Sequence, residues 1–525
     1  MPTLPAAPPS ALPPTGRTRA AAALALAALL VGGWLRCHDA ASLSLNGDEI
    51  YAMWEAQSAR ATADASDLLG AWKTRASLMA SSDPADPPGI PHDEAWRLRW
   101  GYRTNPLSLL INEAAIRLFG ATPLAIRLGS LVLGLAALVV LPWLARPLLG
   151  ERGALLLLLL LAFCPDVVEI ARDARYKSAC FLFGGVAALA AARFVRDRRP
   201  RDEWLALAAC ALLVLSHLTG LLAAGTLFLW LALAARGRVS LRLLPIAALV
   251  AFLAWRFGPQ AKVGQVIEQG ITIKGKYPWW KLALSLVYGV GPLLVALGVG
   301  SLFTMRRLGA KALLPLLAAM VVPTIALFWM NHRKEIGPRY FGAPEAAGIV
   351  LAASCAEFLF RRERGRRLAV AALALTLVSQ APLLASNWVD GQRFPWSEAA
   401  RLVHERAVPG DRVVSNWSGI VEYHLKAESN DPRFVLELPN TLAGLDAALR
   451  KGEWRRAFLI LPRQRGELVW PGGAARLRGW LDVHARPVDT LGRRRIDSGL
   501  ARFNAGYLFE LEIVEVDLEA LRAQQ

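Results

Sequence analysis

Cysteine is scarce in this chain of 525 residues. Its five copies, Cys37, Cys164, Cys180, Cys210 and Cys355, lie in or beside apolar runs at no metal-ligand spacing. A disulfide framework is therefore excluded, and the thiols read as small hydrophobes. Histidine is nearly as rare, with seven copies, and His38 and His92 near Asp48 and Asp93 match no ligand motif. Charged residues make up only 19% of the chain against 54% hydrophobic ones, more apolar surface than a soluble fold can bury. No internal repeat is evident, which argues against transporters built from related halves.

What is present is a series of apolar runs separated by short basic loops. The net charge of +18 sits mainly in those loops and not along an aromatic-lined stripe, so it signals topology and excludes nucleic acid as a partner. Residues 1–18 read as a disordered Pro- and Ala-rich tail. Runs of about 16 to 25 residues predict eleven spans, near 19–36, 124–148, 153–171, 178–195, 203–218, 219–235, 241–256, 283–303, 311–330, 341–359 and 367–386.

Residues 106–119 are the ambiguous stretch. As a helix they would be only about 21 Å long, and Asn112, Glu113 and Arg117 would enter hydrocarbon. If this helix lies in the membrane surface, the Arg-dense loops near residues 146–152, 193–201, 236–242, 306–311 and 361–367 all share the cytoplasmic side with Arg17 and Arg19. That parity places the first loop, 37–123, and everything after residue 387 on the outer side.

From residue 387 no run is long enough to span, and short strands alternate with helices. Candidate strands are 412–415, 434–438, 457–461 and 507–514; candidate helices are 396–406, 442–451 and 473–484. The expected fold is therefore mainly α: a polytopic membrane domain over 19–386, followed by a periplasmic α/β domain over 387–525.

The outer side collects the chemistry. Asp48 and Glu49 follow the first span, Asp173, Arg175, Tyr176 and Lys177 fall between two spans, and later loops carry Lys274, Lys276, Tyr277, Arg333, Arg339 and Tyr340. Carboxylates can take a proton from an attacking hydroxyl. Arg and Lys can hold a phosphate leaving group and stabilise its charge. Tyr277, Trp279 and Trp280 can stack on a sugar or anchor the interface. Together these residues suggest transfer of a group from a lipid phosphate.

Several ordered motifs carry a family resemblance: the acids after the first span, Asn105-Pro106-Leu107 opening a helix that ends in Leu118-Phe119-Gly120, and Ile126-Arg127-Leu128-Gly129-Ser130 opening the next span. Asp173-Ala174-Arg175-Tyr176, His217-Leu218-Thr219-Gly220 and Arg339-Tyr340 complete the series. The chain resembles the GT-C membrane glycosyltransferases, and most nearly the branch containing the protein mannosyltransferases and the lipid A aminoarabinose transferase.

The resemblance implies a polyprenyl-phosphate sugar donor, a lipid, glycan or protein acceptor, and inversion at the anomeric carbon. By position it makes Asp48 the base, with Glu49 and Asp173 as further acids of the site. It implies no nucleotide sugar and no cofactor, a divalent metal being left open. Thr104 and Asn105 stand before Pro106 where the aminoarabinose transferase has an acid and a lysine. Phosphate holding then passes to Arg103, Arg175, Lys177, Lys274, Lys276, Arg333 or Arg339. Tyr51, Tyr176, His217, Tyr277 and Tyr340 are the candidates for contacting sugar or acceptor. The expected location is a bacterial inner membrane, with the N-terminus cytoplasmic. The competing class is a transporter or flippase of lipid-linked glycans, which predicts more acids and bases within the spans than this chain carries.

Overall fold

The computed structural model describes residues 16–41, 49, 52–53, 106–120, 122–217, 219–234, 279–290, 295–302, 311–331, 340–389, 395–429, 435–451, 453–464, 467–468, 470, 473–492 and 510–524. The first part is helical: α1 (Gly16–Cys37), α2 (Pro106–Phe119), α3 (Pro123–Phe163), α4 (Pro165–Ala171), α5 (Lys177–Asp197), α6 (Pro200–Ser216), α7 (Gly220–Ala234), α8 (Trp279–Val290), α9 (Leu314–Met330), α10 (Gly342–Phe360) and α11 (Glu363–Val389). Among the described residues, five helices are long and apolar enough to cross a membrane, those of α1, α3, α5, α10 and α11, and α7 and α9 are shorter apolar helices. The span expected at 241–256 lies outside the described residues.

The spans expected at 124–148 and 153–171 differ in detail from what is observed. α3 covers 41 residues as two helical arms that meet at a non-helical Gly150, at φ 76° and ψ 178°. A straight helix of that length would measure about 60 Å, twice a bilayer core. Gly150 resolves the excess by turning the chain, in a left-handed conformation that glycine adopts without a Cβ clash. Leu138 and Ala162, each twelve residues from Gly150, both lie within 3.4 Å of where a Cβ on Gly32 would be. The two arms therefore run antiparallel beside α1, and the basic loop around Arg146 and Arg152 sits at their hinge. The second arm ends at Phe163, and the remainder of the expected span is the separate α4.

Charge at the helix ends is answered locally. The Arg36 guanidinium, wholly buried, donates to the carbonyls of Gly32 at 2.7 Å and Leu161 at 2.8 Å. Leu161 is in the last turn of α3, where carbonyls lack helical partners and the dipole favours a cation. At the opposite, basic-loop end, Arg193 and Asp202 pair at 2.8 Å between α5 and α6.

α5 and α10 approach closely enough to exclude side chains. A Cβ on Gly184 would lie 2.5 Å from the Ala343 Cβ and 2.7 Å from its Cα. Gly184→Val should force the two helices apart at a cost of about 1–3 kcal/mol, read as a lower melting temperature of the purified protein in detergent. Gly225→Ala, on α7 with nothing within 4 Å, is the control that should leave it unchanged.

The second part contains α12 (Trp396–Arg406), β1 (Arg412–Ser415), α13 (Ser418–Ser429), β2 (Val435–Glu437), α14 (Leu442–Arg450), β3 (Arg456–Gln464), β4 (Glu467–Leu468), α15 (Ala474–His484), β5 (Ala485–Leu491), β6 (Glu510–Asp517) and α16 (Leu518–Ala523). The sheet order is β2-β1-β3-β6-β5, with β4 on β3; β1 is parallel to β2 and β3, and β6 is antiparallel to β3 and β5. Helices cover both faces, so Ala457–Leu461 of β3 is a continuous apolar run. Phe458 and Ile460 face α12 and α13, while Ala457, Leu459 and Leu461 face α14, α15 and α16.

The first of those two cores does not stop at the sheet. Met53, Ile116, Ile126 and Ala174 belong to the same buried cluster as Trp396, Ala399, Val403 and Val421. The sheet-bearing part thus docks, through α12 and α13, onto the segment after Glu49, onto α2, and onto the end of α3 where Ile126 lies.

Candidate functional site

The centre of the docked region is the turn Arg172–Tyr176 between α4 and α5. The Arg175 backbone N–H closes on the Asp173 carbonyl at 2.7 Å. Three outside groups then hold the turn. The Ala174 N–H donates to Glu49 Oε1 at 3.1 Å, the Ala174 carbonyl accepts from Asn112 Nδ2 at 3.2 Å, and the Arg175 carbonyl accepts from Ser130 Oγ at 2.9 Å.

Glu49 is itself locked. Arg127 donates from Nε to Glu49 Oε1 at 2.9 Å and from Nη2 to Oε2 at 2.8 Å, a two-pronged bond matching the guanidinium fork to the carboxylate. The third guanidinium nitrogen, Nη1, reaches the Ala40 carbonyl at 2.7 Å. Neither side chain of the pair retains any exposed surface. This geometry gives Glu49 a positioning part: both oxygens are occupied, and no substrate can reach them. Glu49 is thereby pinned to α3 and to the Asp173 turn.

Asp173 is buried and its Oδ2 accepts from Lys177 Nζ one helical turn on, so the two charges expected to act together do meet. Tyr176, His217 and Tyr340, far apart in sequence, form a ring stack. Tyr176 and His217 lie 3.7 Å apart at 16°, His217 and Tyr340 5.7 Å apart, and Tyr176 and Tyr340 6.5 Å apart. His217 ends α6 in extended backbone at φ −167°. Its Nδ1 accepts the Thr219 N–H at 3.1 Å, which assigns the proton of the neutral ring to Nε2. Arg175 stands beside the stack, its guanidinium 5.8 Å from the Tyr176 ring.

Of the residues named from sequence, the structure brings together Glu49, Asp173, Arg175, Tyr176, Lys177, His217 and Tyr340. Asp48, Tyr51, Arg103, Lys274, Lys276, Tyr277, Arg333 and Arg339 lie outside the described residues. Sequence reasoning assigned no task to Arg127, Asn112 or Ser130. The available signal was Arg127 itself, a charge opening an apolar run, which implies a partner brought from elsewhere in the chain. Among the described residues no group of three or more His, Cys, Asp or Glu is placed to share a metal ion.

With this geometry in view, the likenesses to known proteins become interpretable. Residues 104–256 match the family model described as dolichyl-phosphate-mannose-protein mannosyltransferase. No curated protein sequence matches the chain. The crystal structure of ArnT from Cupriavidus metallidurans in the apo state superposes with a TM-score of 0.51 at 14% identity, over 96% of this chain and 99% of that one. The same protein bound to undecaprenyl phosphate gives 0.50 at 14% identity, over 95% and 98%. The Archaeoglobus fulgidus oligosaccharyltransferase in complex with zinc and sulfate gives 0.47 at 13% identity, over 83% and 67%. The chain thus has the fold of the GT-C membrane glycosyltransferases. Within that class it resembles the branch of the protein mannosyltransferases and ArnT.

Proposed function

We propose that this protein transfers a sugar from a polyprenyl-phosphate carrier to an acceptor at the outer face of a bacterial inner membrane, with Asp48 as general base. The observation that carries the reading is the Glu49–Arg127 lock. It spends a fully buried ion pair on tethering the residue next to Asp48 to the turn that bears Asp173, Arg175 and Lys177. The likeness to a protein crystallised with undecaprenyl phosphate supports a polyprenyl-phosphate donor.

In this mechanism Asp48 takes the proton of the acceptor's nucleophile, whose lone pair attacks the anomeric carbon from the side opposite the phosphate. The bond from that carbon to the phosphate oxygen breaks, its electron pair leaves with the lipid phosphate, and configuration inverts. Arg175 and Lys177 stabilise the charge gathering on the leaving group. Arg103, Lys274, Lys276, Arg333 and Arg339 are further candidates for holding it. The test is incubation of the purified full-length protein with a panel of labelled polyprenyl-phosphate sugars. Label should leave the lipid and appear on an acceptor or, slowly, in water; retention on every carrier overturns the proposal.

A further inference from the structure

The end of the helical part away from the Asp173 turn carries charge that the mechanism does not use. Arg127 stands near the start of α3 at the candidate site, and along the first arm Gly150 is about 35 Å away. α5 and α10 also start at the site, where a Cβ on Gly342 would sit 3.3 Å from the Lys177 carbonyl. Their far ends meet at the α3 hinge. Arg196, in the last turn of α5, donates to the Pro147 carbonyl, and a Cβ on Gly153 would lie 3.5 Å from the Glu357 Cβ in the last turn of α10. Arg198 Nη1 reaches the carbonyl of Ala234, the last residue of α7, at 2.5 Å. The turns 146–153, 193–204 and 357–367 therefore form one surface.

Those turns hold twelve arginines and six acids. Four of the acids are engaged within the surface: Glu151 by Arg146, Asp197 by Arg196 at 2.6 Å, Asp202 by Arg193 at 2.8 Å, and Glu357 by Arg361 at 3.0 Å. Arg152, Arg199, Arg201, Arg364, Arg366 and Arg367 are exposed and, among the described residues, enter no ion pair. Only Glu203 and Glu363 remain to offset them. Scattered basic residues would satisfy the topology of a membrane protein. Here folding gathers them from three separate turns and ties up most of the neighbouring acids.

The depth of the surface is marked independently. Trp143 and Trp204, both exposed, lie about one helical turn to the apolar side of Arg146 and Arg201, and exposed Leu368 follows Arg367 directly. Exposed tryptophans at the ends of apolar helices stand where hydrocarbon meets headgroups. The unpaired guanidinium groups are thus level with the lipid phosphates.

We propose that this surface is a binding site for the headgroups of anionic phospholipids, separate from any site for the donor. The guanidinium fork matches phosphate oxygens two at a time. The depth selects a lipid over an acidic soluble protein, which would have to enter the headgroup layer to reach the same arginines.

The experiment titrates delipidated full-length protein in detergent with phosphatidylglycerol, phosphatidylcholine or a poly-glutamate peptide, with binding read by native mass spectrometry. Wild type should prefer phosphatidylglycerol. Arg364→Gln/Arg366→Gln/Arg367→Gln should lower that affinity about 10- to 100-fold, about five-fold for each arginine removed, and leave phosphatidylcholine binding unchanged. Arg401→Gln/Arg476→Gln/Arg486→Gln removes the same charge from exposed positions of the sheet-bearing part and should bind as wild type does. If the first triple variant fails to fold, Arg199→Gln/Arg201→Gln should shift the affinity in the same direction and takes its place. Equal affinity of wild type for the two lipids, an equal loss in both triple variants, or tighter binding of the peptide overturns the proposal. Sugar transfer is not a readout, so each of these outcomes leaves the glycosyl-transfer reading untouched.

Discussion

Asp48→Asn should leave the protein folded and membrane-inserted while lowering turnover of its polyprenyl-phosphate sugar by about 10²–10⁴-fold, the usual contribution of a positioned general base. The amide keeps the size and polarity of the carboxylate and removes only its ability to accept a proton, so KM for the donor should change little. The acidic limb of the wild-type pH–rate profile, where the base becomes protonated, should disappear in the variant. Glu49 cannot substitute, because both its oxygens are held by Arg127 and it has no exposed surface. An Asp48→Asn protein with full activity would return the catalytic role to another acid, Asp173 first.

Arg127→Leu should destabilise the protein by about 3–5 kcal/mol, because it strands the Glu49 carboxylate in a buried site with no cation. It should also slow turnover, since the Glu49 bond to the Ala174 N–H depends on how Arg127 orients that carboxylate. The double variant Glu49→Leu/Arg127→Met separates these effects. Replacing both charges with apolar groups removes the orphan and should recover most of the lost melting temperature. Turnover should stay low, because a leucine accepts nothing from Ala174. Thermal unfolding in detergent and turnover of labelled donor read the two quantities. A single variant that melts within about 1 kcal/mol of wild type, below the range for a broken buried pair, would show that the lock carries no load.

Much of the membrane architecture was legible because the bilayer imposes length on apolar runs. The runs at 19–36, 178–195, 341–359 and 367–386 coincide with α1, α5, α10 and α11 to within a few residues. The stretch 106–119, expected to form a helix, is α2 from its first residue to its last, and two contacts hold it. Asn112 bonds the Ala174 turn, and Ile116 joins the cluster with Trp396, beside the docked sheet. In the sheet-bearing part, 396–406 and 412–415 match α12 and β1. Four elements there were not legible, α13, β4, β5 and α16, and two of them show why. α13 opens Ser418-Gly419-Ile420-Val421, a poor helix start by propensity, and forms because Ile420, Val421 and Leu425 bury against the sheet. β5 contains Pro487, which reads against a strand and is accommodated here because β5 is an edge strand with a register shift between Pro487 and Asp489.

The sequence by itself determined which stretches seek hydrocarbon, where basic residues cluster between them, and which residue types are at hand as acids and bases. Those are properties of composition along the chain, and the bilayer reads them residue by residue. Tertiary structure alone decided that Glu49 meets Arg127, that Asn112 reaches the Ala174 carbonyl, and that Tyr176 stacks on His217. Hydrogen bonds and ring contacts act over about 3 to 6 Å in space, and no periodicity in sequence records which distant residues folding will bring within that range.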